Sequence, residues 1–483
     1  MKQLQDLYSF SFGGIKKDWI YLEDDSTERS AWAPISRNLL TIPGKPGAYL
    51  QNTTTNVRSI KQKIFYDGET REDLRKLEEE LAEWLITEEP QELIFDDEPD
   101  RVYYALVDGS FDISEFLEIG EGTISFICPD PYKYSDERII NFPSDSVSFR
   151  SEGTAEADPI FELEVLQPVT FAMVQNQDNE YMLIGAPADV NTQIVDSKTL
   201  LLEETGTTID EWTTATSDME GGSQGTIGYD GAGITAPSYG TGTGFHGPSV
   251  YKEVPLTGDF EIELRGQLYT DNVNQTGRFG FYLFDDEMRE IAIMTAVDNS
   301  IYVERKLAEG RIGPFIGDFK NYLISSRNYQ KEWDNFPAYM RLQRIGDKYT
   351  FYVARVLGDG KHMDPLTASW TVTEDKFRGK LKYVGIFIDK YGTTASPHTN
   401  RIDYIKAYAL TEQTIEQIPF IAYTGDVITF DHTTCDILIN GESRMDLKDF
   451  GANFFKLKKG TNELYVLPDM SLRTKVRFKE RYK

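Results

Sequence analysis

Apolar residues recur convincingly at helical spacing in one stretch of this chain. Leu74, Leu77, Leu81 and Trp84-Leu85 mark one face of a helix from about Thr70 to Ile86, with Thr70 and Asp73 as its N-terminal cap pair. Elsewhere the apolar period is two. Phe260, Ile262, Leu264 and Leu268 alternate with Glu261, Glu263, Arg265 and Gln267, the pattern of a half-buried strand. Similar runs follow at 278–284, 290–297, 338–345, 348–356, 381–388 and 402–409, and Gly346-Asp347 separates two of them at hairpin spacing. One long helix among so many strands predicts a mainly β protein. The runs between 205 and 410 predict a two-sheet jelly-roll sandwich.

At 483 residues, two to four domains are expected. The net charge of −29 disfavours nucleic acid and anionic membrane surfaces as partners. Two cysteines, Cys128 and Cys435, are too few for a disulfide framework, so a reduced cytoplasmic site of synthesis is expected. The N-terminus lacks an apolar signal core, and no run approaches the ~20 apolar residues of a membrane helix. From Asp67 to Arg101, fifteen acids stand against four bases, a local net of −11. That belt is either a solvated face or a surface for a basic neighbour. Between Gly221 and Gly247 lie ten glycines, punctuated by Tyr229, Tyr239 and Phe245, which favours ordered glycine-rich loops over a linker.

Two apolar strands that stop at charged or proline-bound corners stand out. One is Leu93-Ile94-Phe95-Asp96-Asp97-Glu98-Pro99-Asp100-Arg101-Val102-Tyr103-Tyr104-Ala105, and the other is Phe126-Ile127-Cys128-Pro129-Asp130-Pro131-Tyr132-Lys133. With Ser11-Phe12-Gly13-Gly14 and Ile42-Pro43-Gly44-Lys45-Pro46-Gly47, they resemble the distal tail protein of long-tailed bacteriophages (siphophages). Near the C-terminus, Asp426–Asp431 and Cys435–Gly441 resemble the closing strands of that family's galectin-like sandwich. Residues 205–410 resemble by pattern the concanavalin-like jelly roll of laminin-G and carbohydrate-binding modules.

The resemblance implies four segments. Residues 1–140 form a ring (belt) domain with a tail-tube-like fold; 141–204 and 411–483 form a galectin-like sandwich, split by the jelly roll at 205–410. It also implies a hexameric ring at the virion's tail tip, touching the tail tube protein, the tail-tip hub or tail-associated lysin, and receptor-binding protein. The insert would grip host cell-wall polysaccharide. Two other readings are an insert that only docks receptor-binding protein and a tail-associated glycan hydrolase.

Metalloprotease, zinc-site and phosphate-loop signatures are absent. None of His246, His362, His398 and His432 lies in an HExxH pattern, and CxxC and phosphate-cradling Gly-Lys-Ser/Thr motifs do not occur. No catalytic residue, metal ligand or cofactor is assigned; Asp285-Asp286 reads equally as a polar hairpin turn or as calcium ligands. Sugar contact is chemically better supported, because aromatic rings cover sugar C–H faces and polar side chains bond hydroxyls. The candidates are Tyr229, Asp230, Tyr239, His246, Trp333 and Tyr391, with Trp333 reading rather as a core edge. On the last strand, Arg473, Lys475 and Arg477 form a basic face, which is either a solvated edge or a seam for Asp96, Asp97 and Glu98 of a neighbouring subunit.

Overall fold

A computed structural model describes residues 9–22, 27–67, 70–111, 113–116, 119–188, 193–206, 209, 211–216, 223–314, 320–325, 333, 335–411 and 417–483. Among them the architecture is mainly β, with one α-helix, Arg71–Leu85. Thr70 caps that helix by accepting from the Asp73 backbone N–H (3.2 Å), and Leu74, Leu81 and Leu85 are buried. Trp84 stacks on Phe10 and donates to the Phe12 carbonyl (2.9 Å). The helix thus packs on a sheet whose strands include Phe10–Phe12, Gln91–Phe95, Tyr103–Val107, Ile119–Cys128 and Arg58–Asp67. Gly13 and Gly14, both at positive φ, make the two-residue turn that pairs Phe12 with Ile15. At the proline corner, buried Arg58 donates to the carbonyls of Pro131 and Ser30, each at 2.9 Å.

A two-stranded ribbon, Ile35–Leu40 with Tyr49–Thr55, extends from this body. Every residue of both strands is exposed.

The second body is a sandwich. One sheet runs in the order Lys133–Asn141, Leu472–Tyr482, Ile160–Val165, Val427–Asp431, Asp436–Ile439, Glu442–Ser443; the other runs Ser146–Ser151, Gly460–Leu467, Phe171–Asn176, Tyr181–Gly185. Residues from both sides of the insert share its core, including Phe161, Val174, Phe430 and Val476. His432 is buried there against Phe161 and Phe455. Burial pushes its imidazole down to about 4. An unfolded histidine titrates near ~6.5, so the stabilising contribution is complete above that pH and is lost as pH falls towards 4. Between pH 7.5 and 5 the sandwich should lose about 2 kcal/mol through this group. Urea titrations at the two pH values, with His432→Phe as reference, measure the difference.

The third body holds two facing sheets around the largest core. One includes Phe260–Tyr269, Phe336–Ile345, Lys348–Val356 and Thr399–Leu410; the other includes Ser249–Thr257, Gly277–Phe284, Glu290–Asp298 and Leu381–Tyr391. Two strand assignments differ from the sequence reading. Lys198–Glu204, expected in the split sandwich, pairs with Thr399–Leu410 and buries Leu202 in this core. Lys133–Asn141, expected largely in the first segment, pairs with Leu472–Tyr482 of the sandwich. Alternation reveals a strand but not its distant partner. Residues 223–247 carry the short strands Thr226–Tyr229, Ile234–Ser238 and Phe245–His246, so the described part of the glycine-rich stretch is ordered chain.

The insert is attached in two ways. Gln193–Val195 and Gln417–Pro419 pair in parallel at its entry and exit. Beyond them, Arg341 makes a bidentate ion pair with Glu442 (2.5 and 2.7 Å), and His362 N–H donates to the Gly441 carbonyl (3.1 Å). Only glycine fits at 441: φ is +84°, and a Cβ there would lie 2.2 Å from the Gly360 oxygen.

Candidate binding surfaces

The sugar-contact candidates divide by burial. Tyr229 and Tyr391 are 44% and 46% exposed. Tyr391 ends its strand with its ring edge-on to Phe245 (5.1 Å), and Phe245 lies over the Arg278 guanidinium (4.6 Å). Asp230 is exposed and shapes its own turn, accepting from the N–H groups of Ala232 and Gly233 (2.9 and 3.0 Å). Tyr239 packs against the core with its phenol pushed up to about 12, first by burial.

Two candidates cannot present a face to a ligand. Trp333 is 1% exposed and stacks on Phe336 at 4.3 Å, inside the insert's core. His246 is buried, with Nδ1 2.9 Å from the Gly244 carbonyl. Sequence reading missed Tyr302, the most exposed tyrosine named here at 86%. Its signal was the turn chemistry of Asp298-Asn299-Ser300 immediately before it.

Two carboxylates of strand Phe260–Tyr269 stand beside one cation. Glu261 and Glu263 project from the same face of one strand and share the Lys198 ammonium. Burial raises Glu263, whereas Lys198 and Arg341 overcome burial to lower Glu261. The Lys198 ammonium sits 3.1 Å from Glu261 and 3.4 Å from Glu263. Both carboxylates are thus committed to one cation, and Glu261 also accepts from the Gln343 amide (2.9 Å). Asp285 is likewise committed locally, accepting from the N–H groups of Glu287 and Arg289 and pairing with the Arg289 guanidinium at 2.7 Å.

The basic strand meets acids within its own chain. Arg473 pairs with Glu164 (2.8 Å), Lys475 with Glu162 (2.7 Å), and Arg477 with Glu162 and Glu137 (2.9 and 3.3 Å). Asp96 is held by Lys16 (2.6 Å), Asp97 by Arg29, and Glu98 by Lys133 (2.6 Å) and the Tyr103 hydroxyl (2.8 Å). Burial opposes ionisation of Glu98, yet the Lys133 and Tyr103 hydrogen bonds hold its carboxyl below the usual range. The acid partners of 473–477 lie across neighbouring strands, so charge complementarity stabilises the protomer's own sheet. Arg477→Glu should therefore lower the sandwich's unfolding free energy by roughly 1 kcal/mol, and less in high salt. Chemical denaturation at two ionic strengths tests this.

The ribbon presents an apolar surface. Leu39 and Leu50 are cross-strand partners, 59% and 58% exposed, and Trp32, Ile35, Leu40 and Tyr49 are exposed alongside. A lone two-stranded ribbon is marginal in water, and this one leaves its large side chains wet.

Known proteins match both ends of the chain. Residues 16–128 match the model of the phage tail protein RIFT-related domain. Residues 392–482 match that of the siphovirus-type tail component C-terminal domain. The distal tail protein of Bacillus phage SPP1 is 26% identical over 158 residues, covering 32% of this chain and 62% of that relative. The chain thus spans under two-thirds of that protein's length. Among solved structures, the Dit protein of phage SPP1 aligns with 38% of this chain and 75% of its own, at 20% identity and TM-score 0.35. The CBM2 module of the evolved Dit of Lactobacillus casei BL23 phage J-1 aligns with 46% of this chain and all of its own, at 15% identity and TM-score 0.38.

Proposed function

We propose that this chain, a siphophage distal-tail-type protein with tail-component domains at both ends, is the structural hub of a virion's tail tip. Copies close into a hexameric ring that joins the tail tube protein to the tail-tip hub or tail-associated lysin and to receptor-binding protein. Residues up to 132 form the ring body. Residues 133–197 and 411–483 form the split sandwich, and 198–410 form an inserted module that adheres to host cell-wall polysaccharide. Tyr229, Asp230 and Tyr391 are the sugar contacts among the residues first singled out. The role is assembly and adhesion, without catalysis.

The observation that carries the ring is the uncovered apolar ribbon. A surface so wet in the protomer is stabilised when a second copy covers it, and a head-to-tail contact that closes makes a ring. The test compares solution mass and electron images of the full chain with those of a chain in which a short Gly-Ser linker replaces 198–410. Rings from both, with peripheral knobs only on the full chain, support the hub. Folded monomers over a broad concentration range overturn it.

A further inference from the structure

Three loops meet at one end of the insert. The 270–276 loop touches 391–398 through the Thr276 and Thr394 hydroxyls (2.7 Å) and through Ala395 N–H to the Asn274 carbonyl (3.0 Å). On its other side, Lys306, which closes the 298–306 loop, donates to the Thr270 hydroxyl. The result is one continuous rim.

Two buried ion pairs lie beneath it. Lys306 and Asp298 stand 3.3 Å apart with side chains 0% and 1% exposed, and Arg278 and Asp389 stand 2.8 Å apart at 8% and 2%. Burying opposite charges costs desolvation that their attraction only partly offsets, so such pairs are poor sources of stability and good locators of geometry. Both pin strand ends from which the rim loops leave.

The rim holds its aromatic side chains outward. Ser300 Oγ accepts from the N–H groups of Tyr302 (3.3 Å) and Val303 (3.2 Å), and Asp298 Oδ1 accepts from Ser300 N–H (3.3 Å). This small turn presents Tyr302 to solvent. Tyr391 stands on the other flank, braced by Phe245, and its carbonyl accepts from the Thr394 hydroxyl. Three strand spacings separate the outer strands, ~14 Å at ~4.8 Å each. Between the tyrosines, Asn272, Asn274 and Asn299 are exposed.

We infer that this rim is the insert's glycan site, with Tyr302 and Tyr391 as stacking platforms and the asparagines as hydroxyl partners for a neutral polysaccharide. The inference rests on the adhesive reading above and deepens it. A neutral ligand fits the charge: Arg278 and Lys306 are paired with acids beneath the rim, Lys390 and Arg305 donate to the Thr394 carbonyl and the Asn299 side chain, and the chain's net −29 repels polyanions. Rings that stack on two sites, set by buried anchors, bind with little ordering cost.

The experiment titrates the full chain with neutral cell-wall polysaccharides, peptidoglycan fragments and a polyol-phosphate polymer, following heat or tyrosine fluorescence. Tyr302→Ala with Tyr391→Ala should weaken binding of the neutral polymer about tenfold or more, with the insert's thermal transition unchanged. Tyr302→Phe with Tyr391→Phe should restore it, because stacking needs the ring. Binding that survives the double alanine change but vanishes when 198–410 is replaced overturns the rim and leaves the adhesive reading intact. Preference for the polyol phosphate overturns the ligand class. Binding by the insert-deleted chain, or to none of the polymers, overturns the rim and the adhesive reading together.

Discussion

Trp333→Ala is expected to unfold the insert well below the temperature at which the wild-type insert melts, leaving the rest of the chain folded. The side chain is fully buried and stacked face to face on Phe336. Truncation removes an aromatic contact and opens a cavity in a core that cannot collapse around it. Such changes cost about 3–5 kcal/mol. The insert's core is separate from those of the sandwich and the N-terminal body, so the loss should stay local. Calorimetry should show one transition moving down, and limited proteolysis should begin to cut within 198–410. An unmoved transition would remove Trp333 from the core.

Placing aspartate at both Leu39 and Leu50 should convert rings into monomers. The two residues face each other across the ribbon and already stand in water, so the protomer loses little. Covering them in a subunit contact would strip water from two like-charged carboxylates, which is far more costly than exposing two leucines. Sedimentation reads the mass, and circular dichroism checks that strand content is preserved. Rings of unchanged stability would place the ribbon outside the subunit contact.

Local chemistry was legible in the sequence. The Thr70 cap, the leucine stripe and the Gly346-Asp347 hairpin each depend on neighbours within a few residues, and the structure shows each of them. Partners far along the chain were not legible. Arg473 through Arg477 alternate visibly as a basic face, but Glu137, Glu162 and Glu164, which neutralise them, lie more than 300 residues earlier. Lys198–Glu204 reads as a strand in isolation; its pairing with Thr399–Leu410 decides which sheet receives it. Trp333 reads as a core edge as well as a sugar contact, and the structure places it in the core, stacked on Phe336. Tyr302 was passed over because a single tyrosine after a turn has no period to mark it.

The insert's entry and exit strands run side by side, Ile194 opposite Ile418. Paired strands lie only ~4.8 Å apart, so the sandwich sees the whole module as one short excursion from a single point. That geometry makes the module a replaceable cassette. Any folded domain with adjacent ends can be grafted there without disturbing the shared core, because closing a longer loop adds little entropy. Exchanging the module would therefore leave the sandwich's shared core intact. A newcomer meets one constraint: the Asn440-Gly441 turn that receives the present module is part of the recipient. A graft that ignores it would hang from its stalk, and one that provides an arginine for Glu442 would be held at a set angle.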